Sequence, residues 1–221
     1  MRPIEAPQSL AQVVADQIRE EILSGGLPRG QRLVEARIAA TLQVSRGPVR
    51  EAFKLLRAEG LVEEEPRRGT YVVNLTGDDV REIYDLRAAL EARAAKLLAL
   101  SHSNGDLIEL RQRLARLERA AQDGDIRAVS RSDLEFHEAV TRLCRNRRIH
   151  SVFTRNVPLL KTLIALDEHI YKEISDIASE HLPMLEAIEQ GDGETAAARF
   201  ERHVERARDL VADYIDALPE S

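Results

Sequence analysis

Apolar residues recur along most of the chain with the spacing of helices. Leu10, Val13, Val14, Ile18 and Ile22 follow Ser9, a good N-cap, and Gly25-Gly26 closes the run, which predicts a first helix. After the turn LPRGQRL a short helix is expected from about Glu35 to Leu42, then a tight turn at Gln43-Val44-Ser45 and a third helix with Ser45 as its cap and Pro48 in its first turn. In that helix Val49, Ala52, Phe53 and Leu56 share one face at i, i+3, i+4 and i+7, so that face is buried. Beyond Gly60 the pattern changes: LVEEEPRRGTYVV holds two short apolar runs around Pro66-Arg67-Arg68-Gly69, the signature of a β-hairpin with a basic tip. From Thr76 onward the helical period returns, predicting helices at about 77–101, 105–122, 125–145, 147–170, 179–190 and 193–217. Turns at Ser103-Asn104-Gly105, Asp123-Gly124-Asp125 and Gly191-Asp192-Gly193 separate several of them. Pro158 is expected to kink the fourth of these helices, and Pro183 to limit how early the fifth begins.

The face of the third helix opposite its apolar stripe carries Arg46, Arg50, Lys54 and Arg57. A basic stripe invites explanation in a chain of net charge −6. Residues 1–74 hold 11 basic against 10 acidic residues, and the remainder holds 21 against 28, so the acidity belongs to the second part. Three helices, the third basic, followed by a hairpin with Arg67 and Arg68 at its tip, make a winged helix-turn-helix whose third helix enters the major groove of DNA. The expected architecture is therefore mostly α: a winged helix-turn-helix over 1–74, a linker at 75–78, and an all-α antiparallel bundle over 79–221. Composition agrees, since only 4% of residues are aromatic and Trp is absent. A single cysteine, Cys144, rules out an internal disulfide. No apolar run reaches the roughly 18–20 residues a membrane span needs, and MRPIEAPQSLAQ lacks a signal peptide's apolar region. A cytoplasmic protein with no membrane partner is expected.

In the helical part, polar residues interrupt inward-facing stripes at three places. Asp133 and His137 lie one turn apart on the face of Val129, Val140 and Cys144. His181 precedes Met184, Leu185 and Ile188, and His203 lies among Phe200, Ala207 and Leu210. His181 stands 10 residues before Gly191 and His203 stands 12 after it, so they lie at about 15 and 18 Å from one turn and can meet across an antiparallel pair. A divalent cation would satisfy one carboxylate and three imidazoles together, which predicts a metal site. The nitrogen and oxygen set suits zinc first, with nickel or manganese as alternatives, and leaves coordination positions open for a carboxylate ligand. Arg87, between Ile83 and Leu90 on the inner face, either forks onto that carboxylate or pairs with Glu91 at i+4. His102, His150 and His169 are read as surface or ordinary packing residues.

The stretch LVEARIAATLQVSRGPVREAFKLLRAEGLVEEEPRRGTYV resembles the DNA-binding domain of GntR-type bacterial transcription regulators, and the rest resembles the FadR-like branch with an all-helical FCD effector domain. The resemblance implies that Arg46 and Arg50 contact bases or phosphates, that Ser45 and Gly47 approach the backbone, and that Gly69 lets the wing approach. Lys54 and Arg68 are assigned to the same surface. Gln43 replaces a usual Gly, and Ala36 stands where some members carry a DNA-contacting Arg, for which Arg32 or Arg37 is the substitute. Asp133, His137, His181 and His203 match, residue by residue, the metal-binding variety of FCD domain, and Asn146 takes a position associated with the effector. The expected function is a homodimeric regulator that binds a pseudo-palindromic operator and responds to a small organic acid held at the metal. The alternatives are a metal-dependent hydrolase or lyase with an accessory DNA-binding module, or a regulator for which the metal itself is the signal. For the enzyme, the chain offers no HExxH, no phosphate loop and no evident nucleophile-base pair.

Overall fold

A computed structural model describes residues 9–23, 26–164, 170 and 174–217. They fall into two compact units that divide between Leu75 and Thr76. The first contains α1 (Leu10–Leu23), β1 (Arg32–Leu33), α2 (Glu35–Thr41), α3 (Arg46–Ala58), β2 (Val62–Glu65) and β3 (Gly69–Val72). Val14, Ala15 and Ile18 of α1 and Val49, Ala52, Phe53 and Leu56 of α3 are buried, and the wing adds Leu61, Val62 and Val72 to this small core. The apolar stripe assigned to α1 is only half used, since Leu10 and Val13 remain 52% and 39% exposed.

The hairpin gains a third strand that the alternation did not reveal. β1 pairs antiparallel with β3, giving the order β1-β3-β2. Two residues, Arg32 and Leu33, are too few to show a period. At the hairpin tip Arg68 donates its N–H to the Glu65 carbonyl at 3.0 Å. Arg67, at the third position of this turn, takes φ +66°, and Gly69 follows at φ +120°. Gln43, in the turn before α3, also sits in the left-handed region at φ +55°, which is the physical reason a glycine suits that position. Ser45 occupies the N-cap of α3 in extended conformation, but its side chain makes no capping bond.

The second unit consists, among the described residues, of α4 (Gly77–Ser101), α5 (Asn104–Gln122), α6 (Ile126–Leu143), α7 (Arg147–Ile164), α8 (Ile174–Glu189) and α9 (Gly193–Ala217). Two capping boxes, Thr76 with Asp79 and Ser103 with Asp106, start α4 and α5, and Asp125 caps α6 by accepting from the Ala128 N–H at 3.0 Å. Gly77, within the expected linker, is already helical and buried; a β-carbon there would lie 2.1 Å from an oxygen of Asp216, so a larger residue would displace that carboxylate. Leu98, Leu110, Leu117, Phe136, Met184, Ile188 and Phe200 belong to one core shared by α4, α5, α6, α8 and α9.

Two boundaries differ from expectation. α8 begins at Ile174 rather than near 179, so Pro183 lies inside the helix. One missing rung is tolerated because Met184, Leu185 and Ile188 are buried on the core side. α7 is described to Ile164 with Pro158 inside it; the predicted extension to 170 and the reading of His169 involve residues outside the described ones. His150 is half-buried, with its Nδ1 3.2 Å from the Thr141 hydroxyl. No described helix is long and apolar enough to cross a membrane.

Candidate metal centre and nucleic-acid interface

Three helices bring Asp133, His137, His181 and His203 together, with one ligand atom from each within 4.8 Å of the others. α6 supplies Asp133 and His137 on one face, α8 supplies His181 and α9 supplies His203. His137 and His181 are fully buried and the His203 side chain is 10% exposed. Phe136 and Phe200 wall the cluster, with the Phe136 ring 5.1 Å from His181 and Phe200 5.6 Å from His137.

The hydrogen bonds behind the imidazoles fix which nitrogen faces inward. His181 Nδ1 lies 2.8 Å from the carbonyl of Ile177, which can only accept, so Nδ1 carries the proton. His203 Nδ1 donates to Glu180 at 2.8 Å, and His137 Nδ1 donates to Glu91. In the neutral imidazoles all three Nε2 atoms are thereby left as acceptors, yet His137 Nε2 is 3.2 Å from both His203 Nε2 and His181 Nε2. Asp133 Oδ1 is buried with no hydrogen-bond partner, although His181 Nε2 comes within 2.9 Å of it. Acceptors converging on one point without a donor repel each other unless a cation lies between them. The donor set therefore fits a divalent metal.

Burial would raise the Asp133 carboxyl, but the neighbouring His137 and His181 hold it well below its ordinary value. Burial lowers the His137 imidazole, while Glu91 and Asp133 outweigh this and raise it. His203 is pushed well below its ordinary value by burial, then by the charges of His181 and His137.

Glu91 was assigned by sequence only as a possible partner of Arg87, and it proves central. It is fully buried on α4, with one oxygen toward His137 and the other accepting from Arg87 Nε at 2.6 Å. Burial opposes its charge, yet Arg87 and His137 hold its pKa at about 2. The signal available was its i+4 relation to Arg87 on an inward face. Arg87 is likewise buried; its Nη2 has no hydrogen-bond partner and lies 3.9 Å from Asp133. The pairing of Arg87 with Glu91 is thus present through Nε, while Nη2 stands beside the cluster without a hydrogen bond. A cavity of about 40 Å³ reaches this point, lined by Tyr84, Arg87, Asp133, Glu180, His203 and Arg206 among others. Asn146 does not line it; its side-chain oxygen accepts from the N–H groups of Arg148 and Ile149 at the start of α7.

On the first unit Arg46, Arg50, Lys54 and Arg57 are all exposed on α3, opposite its buried face. Arg50 donates to Glu35 of α2 at 2.7 Å, Lys54 pairs with Glu51 at 2.8 Å, and Arg57 and Arg68 pair with Glu64 and Glu65. Arg37 and Arg46 have no ion pair among the described residues. Ser45 and Gly47 are exposed at the start of α3. The Arg32 guanidinium lies against Gly69, 3.2 Å from where a β-carbon would stand, so of the two candidate substitutes it is Arg37 that stands free of the wing.

Residues 82–206 match the family described as FCD domain, and residues 10–72 match bacterial regulatory proteins of the gntR family. The chain is 34% identical over 196 residues to a probable D-xylose utilization operon transcriptional repressor of Paenarthrobacter nicotinovorans, covering 86% of this chain and 85% of that protein. It is 29% identical to the gluconate operon transcriptional repressor of Bacillus subtilis, covering 90% of this chain and 84% of that one. A solved structure described as a putative transcriptional regulator GntR from Rhodococcus sp. RHA1 aligns with TM-score 0.62 at 26% identity, over 95% of this chain and 99% of the other.

Proposed function

The chain belongs to the gntR family of bacterial regulatory proteins and carries an FCD domain, and from that premise we propose that its helical unit holds a divalent metal with a small organic acid, whose binding alters operator recognition by the winged unit. The matched families and relatives are transcription regulators, not enzymes. The observation that carries the metal reading is the convergence of three Nε2 lone pairs and one orphaned carboxylate oxygen, each imidazole being fixed from behind by an acceptor on Nδ1. The bound metal supplies a fixed positive charge and open positions for a carboxylate oxygen. The chain's own residues do the rest. Asp133, His137, His181 and His203 hold the ion, for which zinc, nickel and manganese all suit the donor set, and Arg87 offers its unpartnered Nη2 to a second carboxylate oxygen. Ile164, Ile177 and Leu210 form the apolar side of the cavity and select a compact acid over a highly charged one. In the winged unit Arg46 and Arg50 read the major groove, Ser45, Gly47 and Lys54 meet the backbone, Arg37 adds a contact beside α3, and Arg68 and Gly69 bring the wing to the duplex. Two relatives are named repressors of sugar and gluconate operons, which favours repression, relieved or enforced by the acid, in a homodimer on a pseudo-palindrome.

Elemental analysis of purified protein, paired with a thermal-shift screen of organic acids, tests the reading. His181→Ala is expected to remove most of the metal and lower Tm, since it breaks the set while leaving the other acceptors facing one another. Full metal occupancy in that variant would overturn the site.

A further inference from the structure

Glu91 touches both halves of the proposed site with a single carboxylate. One oxygen accepts from the Nδ1 of His137, whose Nε2 faces the cluster, and the other accepts from Arg87 Nε at 2.6 Å. All three side chains are buried, with Glu91 and His137 at 0% exposure, so no water screens the chain of contacts. The far end of Arg87 leaves Nη2 buried without a hydrogen-bond partner, 3.9 Å from Asp133. Resting on the metal reading above, we propose that Glu91 is a positioning residue that couples the two ligands, so that metal and organic acid each bind more tightly when the other is present.

The reason is the distribution of charge. A divalent ion with Asp133, Glu91 and Arg87 leaves the buried centre with one net positive charge, because Glu180 is matched by Arg206. A carboxylate that docks on Arg87 cancels that excess. The guanidinium then repels the metal less, and Glu91 is released to act more fully on His137, making its Nε2 a better donor. By linkage the acid gains as much from the metal as the metal gains from the acid. A monoanionic acid satisfies this balance and a polyanion exceeds it.

The coupling has a signature that needs no acid. Glu91→Gln removes the negative charge, and its amide offers one acceptor where His137 and Arg87 both require one. Arg87→Met breaks the same ion pair but removes the positive charge instead. Zinc affinity, measured by chelator competition on the full-length variants without added acid, is expected to fall about 10- to 100-fold in Glu91→Gln and to rise about tenfold in Arg87→Met. Far-UV circular dichroism checks that each variant is folded. Arg87→Met separates coupling from a structural ion pair; if it does not fold, zinc affinity of the unaltered protein with and without acetate decides, a rise with acetate being expected and no change overturning the coupling. A purely structural ion pair predicts losses in both, and any loss in Arg87→Met, or a Glu91→Gln affinity equal to that of the unaltered protein, would overturn the coupling. Failure of the unaltered protein to bind zinc, nickel or manganese would instead remove the metal reading itself.

Discussion

Arg46 and Arg50 leave one exposed face of α3 a turn apart, the spacing at which two side chains reach neighbouring positions in a major groove. Arg46→Ala or Arg50→Ala is expected to cost about 1–3 kcal/mol per contact, counted twice in a dimer, with the helical unit still folded. Lys54→Ala should mainly reduce the salt slope by weakening a phosphate contact. Gel-shift titrations at several salt concentrations separate these outcomes, and unchanged affinity in both arginine variants would sink the groove assignment. The candidate metal centre gives a second prediction at the same scale. Glu91 and Asp133 raise the imidazole of His137 above 6.5 against the effect of burial, so its stabilising charge is complete below that pH and is lost as the pH rises. Burial and neighbouring imidazoles lower His203, so its contribution is complete above 6.5 and is lost as the pH falls. In metal-free protein the joint contribution of these two imidazoles to Tm should accordingly be greatest near pH 6.5. A metal held on Nε2 would displace the proton that His137 takes up at lower pH, so zinc affinity should strengthen with pH through the same range. Calorimetric titrations at several pH values count the protons released, and a pH-independent affinity would contradict the assigned protonation.

At the scale of elements, α6 matters most because it carries two of the four candidate ligands. Its start depends on Asp125, whose side chain accepts from the Ala128 N–H at 3.0 Å. Asp125→Ala should remove that cap and lower stability by about 1 kcal/mol, read as a drop of a few degrees in Tm. An unchanged Tm would mean that the first turn of α6 is held by packing alone. α8 shows the opposite balance between local rule and packing. Pro183 argues for a helix that starts close to it, but the helix already runs from Ile174, and His181 enters the cluster from its middle. His181 Nδ1 bonds the Ile177 carbonyl one turn back, so the early start of α8 is what aims the ring.

For the whole molecule, the charge difference between the two parts separates their tasks: the first carries an exposed basic helix, the second an acidic helical bundle around a polar centre. A regulator built this way is expected to act as a two-fold symmetric pair that reads inverted half-sites. Footprinting should reveal a pseudo-palindrome, with sedimentation showing a dimer at operator-binding concentrations. A single unrepeated half-site or a monomer would count against that assembly.

The sequence by itself determined the order of the described helices, the two faces of α3 and the inward placement of Asp133, His137, His181 and His203, because each follows from a period or a cap within a few residues. Its local rules also left clear gaps. Two-residue β1 was invisible, since strand identity there comes from pairing with β3. Asn146 looked available for a ligand but caps α7, a use visible only when the next helix is in place. The arginines of the basic face were legible, whereas the Glu35 and Glu64 partners of Arg50 and Arg57 come from α2 and β2. Above all, only the tertiary structure joined Glu91 to His137, 46 positions away, and turned the free nitrogen of Arg87 toward Asp133. Periodicity states which face of a helix is buried, but a buried charge is stable only beside particular partners on other helices, and that choice is made when the helices pack.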